Sequence, residues 1–324
     1  MDDYVVAIDV GGTTIKTLLL TEAGVELGRR RALTRCSTRD VTGSRDDVVE
    51  RVLDEAQNAL QWARHLTGRE PLALAVASLG LVDQEAGIAR RSAALGWRDV
   101  PLRSLLATRT GLPTVLGQDL QAAALAEATL GQGRDEESFF FVAIGTGVGA
   151  ALVRRGVVDS GLSGAAGELG HIPVSPGRSG DGQSRHCGCG ASGCLETEAS
   201  ATALARGYQT RTGRRVTAAE VAALAGTDDP DAVAVWEDLI AALASGLVTA
   251  AALLDPGLIV LGGGVALAGE QLLQPLRERL AAGYRLADPP RLAVSTLADR
   301  GAGLGAALLG WRHLHSVARA ELAR

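Results

Sequence analysis

Lysine is almost missing from this chain of 324 residues: of its 32 basic residues only Lys16 is a lysine. Against so many arginines, that one lysine is a candidate for an anion contact, the exposed face of a strand being the other reading. Aromatic residues are scarce too, at 3%. The interior must therefore be packed from Ala, Val and Leu, which suits a helix-rich α/β protein. Cysteines number four. Cys36 stands alone, while Cys187, Cys189 and Cys194 crowd together, a spacing that excludes a disulfide framework and favours a metal. Positive charge is not in excess: the net charge is −5 and the pI about 5.6, which speaks against nucleic acid as a partner. There is no run approaching the roughly 18 uncharged apolar residues of a membrane span; even the stretch from Leu239 to Leu254 is Ala-rich and ends at Asp255 and Pro256, so no membrane partner is expected. Asp2 and Asp3 precede the first apolar run, unlike a signal peptide, and a cytoplasmic protein is expected.

The length allows two domains with separate cores, since single cores stop growing near about 250–300 residues. Tyr4 to Ile8 reads as a buried strand, Gly11 and Gly12 as a turn, then Thr17 to Leu20 and Val25 to Arg29 as further strands. The same succession recurs at Phe139 to Ile144, the Gly145-Thr146-Gly147 turn, Gly149 to Val153, and Val157 with Val158. A repeat so widely spaced implies duplication of a lobe, not a short solenoid unit. Ser44 with Asp47 and Thr217 with Glu220 can form helix capping boxes, and Asp229-Pro230 can start a helix reaching Leu254. Further strands are expected at Leu72 to Ala77, Thr114 to Leu116, Leu258 to Leu261 and Leu292 to Ser295, with a closing helix from Leu304.

Between the first two strands lie Asp9, Gly11, Gly12, Thr13 and Thr14, where bare backbone N–H groups and threonine hydroxyls can face an anion and Asp9 can hold a magnesium. Gly145, Thr146 and Gly147 repeat the arrangement. Each turn alone also reads as an ordinary hairpin; the pair reads as a grip on a triphosphate from two sides. A dinucleotide-binding motif is excluded at Gly145 because a strand follows it, and no P-loop motif occurs anywhere. Gly262, Gly263 and Gly264 make a third glycine turn, either beneath a nucleoside or simply joining a strand to a helix.

These loops, with Glu168-Leu169-Gly170-His171 and the run from Cys187 to Glu196, resemble the ROK family of sugar kinases and sugar-responsive repressors. The resemblance spans nearly the whole chain. It implies the actin-like, ribonuclease H-like fold, an α/β architecture of two lobes with a nucleotide cleft. Residues 1–118 plus 303–324 would form one lobe and 119–302 the other. The implied cofactors are ATP with catalytic Mg2+ and a structural Zn2+ on His171, Cys187, Cys189 and Cys194, a closed Cys3His set of the kind expected of structural zinc. His186 is a competing ligand. The stretch from Pro176 to Arg185 is longer than usual in the family.

Phosphoryl transfer to an alcohol needs a carboxylate to take the proton. Asp119, after a short strand and before an Ala-rich helix, also reads as a helix N-cap; the resemblance makes it the base. By the same resemblance Gln118, Glu168, His171, Glu196, Gly80 and Ala94 line the acceptor; for Glu168 and Glu196 the other reading is solvated charge, which their Gly-rich surroundings beside the cysteines disfavour. Three places depart from the family: Gln118 and Ala94 stand where asparagines are usual, and Leu79 replaces a proline before Gly80. An amino sugar or a cyclitol is therefore expected to be preferred to glucose, with glucokinase activity proper as the alternative. A sugar-sensing repressor is the rival class, disfavoured because no DNA-reading helix precedes Tyr4. The family implies a homodimer.

Overall fold

The computed structural model describes residues 2–34, 45–174 and 185–322. Contacts divide the chain into two compact units, one of residues 1–126, 161–165 and 300–324 and the other of residues 127–160 and 166–299.

In the first unit β1 (Tyr4–Val10), β2 (Thr14–Thr21) and β3 (Glu26–Leu33) form an antiparallel meander. Every residue of β1 is buried, which is why its sequence lacks polar alternation, Asp9 excepted. β3 alternates half-buried with exposed positions and carries Arg29, Arg30 and Arg31, as an edge strand does. After helix α1 (Arg45–Thr67), β4 (Leu74–Ser78) lies parallel to β1. A small sheet of β5 (Leu81–Asp83), β6 (Ile88–Ser92) and β7 (Trp97–Val100) follows, then α2 (Leu102–Thr110) and β8 (Thr114–Gln118), parallel to β4. The main sheet has the order β3-β2-β1-β4-β8. Helix α3 (Asp119–Leu130) begins where β8 stops.

Strand register decides where chemistry can gather. Asp9, Ala77 and Gly117 lie side by side on β1, β4 and β8, with Val10, Ser78 and Gln118 one step beyond. Three parallel carboxyl ends thus finish level, within about 10 Å across two strand spacings, and this edge is where open α/β sheets bind ligands. One face of the sheet packs Val6, Ile8 and Val10 in a core with Val52, Ala56 and Leu60 of α1. The other receives the helix Gly301–Leu322. A Cβ on Gly305 would lie 1.7 Å from the Ala122 carbonyl oxygen, so only glycine lets this helix come so close to α3.

The second unit repeats the plan. β9 (Ser138–Ile144), β10 (Val148–Arg154) and β11 (Val157–Asp159) form the meander, and β12 (Leu258–Gly262) and β13 (Arg291–Val294) extend it in the order β11-β10-β9-β12-β13. Its helices are α4 (Leu195–Ala199), α5 (Ala201–Thr212), α6 (Ala218–Ala225), α7 (Pro230–Leu254) and α8 (Glu270–Gly283); Gly301–Leu322 is α9. By length and composition α7 could cross a bilayer. Here Leu239, Ile240, Leu243 and Leu247 instead build the core with Phe140, Val142, Ile259 and Leu261.

The expected strands all occur, each longer by one to four residues at an end or shifted by one or two, because pairing extends past the apolar runs. The Thr217 box forms, and Asp229 caps α7 with Pro230 at the first turn. Ser44 of the other expected box, Cys36 and most of the stretch from Pro176 to Arg185 lie outside the described residues. The contact boundary falls inside α3 at Ala126/Glu127, whereas the sequence reading set it at 118/119; Asp119 packs with the first unit.

Candidate active site and metal centre

In the first unit the turn between β1 and β2 is closed by the Gly11 N–H donating to the Thr14 carbonyl at 3.0 Å. Thr34, after β3, holds it from behind: its hydroxyl donates to the Gly11 carbonyl at 2.7 Å and its N–H to the Thr13 carbonyl at 2.9 Å. Among the described residues, a Cβ on Gly12 would meet nothing nearer than Ala94 Cβ at 3.6 Å and Leu79 Cδ2 at 3.9 Å. Glycine at 12 is thus not demanded by the fold. The same contacts bring Ala94 and Leu79, two of the unusual positions, beside this turn. Lys16 faces Asp9 across the β1–β2 pair, Nζ to Oδ2 3.6 Å, with Asp9 buried. The lone lysine is therefore on the acid's side of the sheet.

Asp119 is the first residue of α3, at the carboxyl end of β8, and its Oδ1 accepts from the Leu120 N–H at 2.9 Å. The capping that sequence offered to Asp119 falls to Gln118, whose Oε1 accepts from the Gln121 N–H at 2.7 Å. Gly80 has φ +94°, and a Cβ there would lie 2.3 Å from the Arg91 carbonyl oxygen, so backbone shape alone requires glycine.

In the second unit the turn between β9 and β10 is held from several directions. The Gly145 N–H donates to the Gly147 carbonyl at 2.9 Å, and Ala201 N–H donates to the Gly145 carbonyl at 2.8 Å. The Thr202 hydroxyl donates to the Thr146 carbonyl at 2.7 Å, and the Val148 N–H to Glu196 Oε2 at 3.0 Å. A Cβ on Gly147 would lie 2.2 Å from that oxygen. Gly262, Gly263 and Gly264 stand at the same edge, since Gly262 pairs with Ala143 and Gly263, at φ +83°, packs on the Ile144 backbone. No described residue lies within 4 Å of a Cβ on Gly264. Glu196 and Glu168 both lie beside this turn's anchor. Burial, opposed by His171 and helped by Glu196, holds the Glu168 carboxyl above the usual carboxylate range.

His171, Cys187, Cys189 and Cys194 converge, with one donor atom from each within 4.8 Å of the others. His171 Nδ1 is 3.5 Å from Cys187 Sγ, and Cys189 Sγ is 3.7 Å from Cys194 Sγ. Bond lengths of about 2.3 Å to sulfur and 2.0–2.1 Å to nitrogen in a tetrahedron give about 3.8 Å between sulfurs and about 3.6 Å between sulfur and nitrogen. The residues therefore fit zinc. Burial, helped by the neighbouring Cys187 and Cys189, pushes the Cys194 thiol up to about 12. His171 Nε2 lies 3.6 Å from Glu168 Oε2, beyond hydrogen-bond distance, so this second ring nitrogen faces the Glu168 carboxyl without being bonded to it. His186 instead pairs with Ser192, Nδ1 to Oγ 3.0 Å.

Each unit thus gathers its own share of the expected residues at one edge of its sheet. Sequence reasoning missed Thr34 and Thr202, which hold the two turns, and the anchoring task of Glu196; only the Ser200 N-cap of α5, readable as Ser before Ala201 and Thr202, hinted at the second. Two concavities of about 590 and 610 Å3 lie at the opposite edge of the second sheet, around Ser138, Gly257 and Pro290, away from all these residues.

The ROK family model matches residues 5–313. The chain belongs to the ROK family. It is 31% identical over 326 residues to a glucokinase from Halalkalibacterium halodurans, covering 96% of this chain and 94% of that enzyme. It is 33% identical over 265 residues to an N-acetylmannosamine kinase from Yersinia pestis, covering 81% and 83%. Among solved structures, a ROK family glucokinase from Streptomyces griseus in complex with glucose and AMPPNP superposes with a TM-score of 0.80 at 27% identity, covering 94% of this chain and 98% of that one. The fold is the actin-like one of ROK sugar kinases.

Proposed function

We propose that this ROK protein is an ATP-dependent kinase that phosphorylates a hydroxyl of a sugar or sugar-like polyol, with Asp119 as the general base. The observation that carries the reading is the level ending of β1, β4 and β8, which puts Asp119 at the same sheet edge as Asp9 and the Gly11–Gly12 turn. The relatives that act on glucose and N-acetylmannosamine support the acceptor class.

In the reaction the acceptor oxygen attacks the γ-phosphorus, its proton passes to Asp119, and the bond from phosphorus to the bridging oxygen breaks to release ADP. The N–H groups of the two glycine turns bind the phosphates, and Gly264 leaves room for the nucleoside. Asp9 and Lys16 serve the metal-bound phosphates, Asp9 toward Mg2+, which when bound neutralises phosphate charge. Glu168 and His171 hold acceptor hydroxyls. Glu196 does the same with its second oxygen, the first being occupied by Val148. The zinc is structural, held by His171, Cys187, Cys189 and Cys194.

The acceptor differs from glucose, because Gln118 spends its carbonyl on the helix and Ala94 offers no side-chain hydrogen bond. An unmade hydrogen bond to a buried group costs about 1–3 kcal/mol, or one to two decades of preference. The test is ADP release with hexoses, amino sugars and cyclitols, followed by product mass. An amino sugar or cyclitol should give the highest kcat/KM. The glucokinase relatives favour a second reading, in which water fills the gap at Ala94 and glucose wins the panel.

A further inference from the structure

We propose that Gln121 is a positioning residue for the acceptor site, an amide relay that holds the segment 161–165 at a set place beside the helix carrying Asp119. The inference rests on Asp119 being the base. Gln121 is 5% exposed and has its polar groups engaged on three sides. Its N–H donates to Gln118 Oε1 at 2.7 Å, its Oε1 accepts from Gln84 Nε2 at 2.7 Å, and its Nε2 donates to the Gly164 carbonyl at 3.3 Å. The direction of the relay is forced, because a carbonyl only accepts; Nε2 must face Gly164 and Oε1 must face Gln84.

The segment itself is unusual. It follows β11 of the second unit in sequence, yet its contacts are with the first unit. Gly164 has φ +80°, and a Cβ there would lie 2.7 Å from the Val82 carbonyl oxygen, so the backbone runs flush against β5. Leu162, its only large apolar side chain, is fully exposed and gives no hydrophobic anchor. The segment leads within three residues to Glu168, assigned above to the acceptor. Gln121 lies two residues after Asp119 and is tied to it through the Gln118 cap. One buried amide thus sets the segment against the base, and a misplacement of reacting groups by about 1 Å can cost about a hundredfold in rate.

Gln121→Met keeps length and volume while removing both side-chain hydrogen bonds, and Gln84→Met removes only the outer one. Hydrogen exchange of residues 161–168, melting temperature, and steady-state kinetics with the best acceptor are to be compared with the parent chain. Gln121→Met should speed exchange in the segment about tenfold and raise the acceptor KM about tenfold, with ATP KM within about twofold. Gln84→Met should move the same two readouts, less far, without lowering the melting temperature. Unchanged exchange in both variants overturns the relay, and so does a Gln121→Met loss that falls equally on ATP KM, acceptor KM and melting temperature. If the parent chain phosphorylates no acceptor, the proposed function fails, while exchange still decides the relay.

Discussion

The two glycine turns look alike in sequence but are held in different ways. The first is stapled by its own sheet: Gly11 to Thr14 across the turn, and Thr34 from the next strand. The second leans on residues far along the chain, Glu196, Ala201 and Thr202, and Glu196 follows the last cysteine of the Cys/His cluster by two positions. Glu196 Oε1 is also 4.0 Å from Cys187 Sγ. The two hairpins thus share a backbone plan, but the second is supported by the segment that carries the Cys/His cluster instead of by local pairing. The first turn should form wherever its sheet forms, and the second only when the segment carrying the Cys/His cluster is in place.

The largest effect should come from the metal. Gently purified protein should contain one zinc per chain by elemental analysis, and removing it with a chelator should abolish nucleotide binding while circular dichroism retains the signal of the first unit. Structural zinc contributes about 10–16 kcal/mol in small zinc-binding peptides, so its loss outweighs any single hydrogen bond here. Protein that lacks zinc yet binds ATP normally would remove the distinction between the turns.

A pair of alanine substitutions sharpens it. Gly147→Ala forces Glu196 away from Val148 and should cost about 1–3 kcal/mol of stability together with nucleotide affinity. Gly12→Ala meets only ordinary contacts at Ala94 and Leu79, so it should weaken ATP binding with the melting temperature unchanged. Equal destabilisation of both variants would show the turns to be supported alike.

The smallest effect is a gain. Thr17 on β2 is 2% exposed, and its hydroxyl is buried without a hydrogen-bond partner among the described residues. Thr17→Val should stabilise the first sheet by about 1 kcal/mol and raise the melting temperature by about 2–4 °C, with kinetics and zinc content unaltered.

Much of this was legible in the chain itself. Buried strands such as Tyr4–Val10 announce themselves as apolar runs, and α7 carries both a cap and a proline at its start. The convergence of Cys187, Cys189 and Cys194 was readable from their crowding, with His171 supplied by the family resemblance. The sheet of β5, β6 and β7 was not legible, because strands of three to five residues carrying Arg90, Arg91 and Arg98 show no apolar period. Nor were the tasks of Gln118 and Glu196, since a polar side chain's partner depends on tertiary register. Sequence located these two residues; only packing revealed that each has an oxygen already engaged, one with α3 and the other with the second turn.

Phosphoryl transfer with Asp119 as base is tested most directly by Asp119→Asn. The variant should bind ATP as the parent does but turn over the best acceptor about 10²–10⁴-fold more slowly, with zinc content and melting temperature preserved. Turnover within a few-fold of the parent chain would contradict the account.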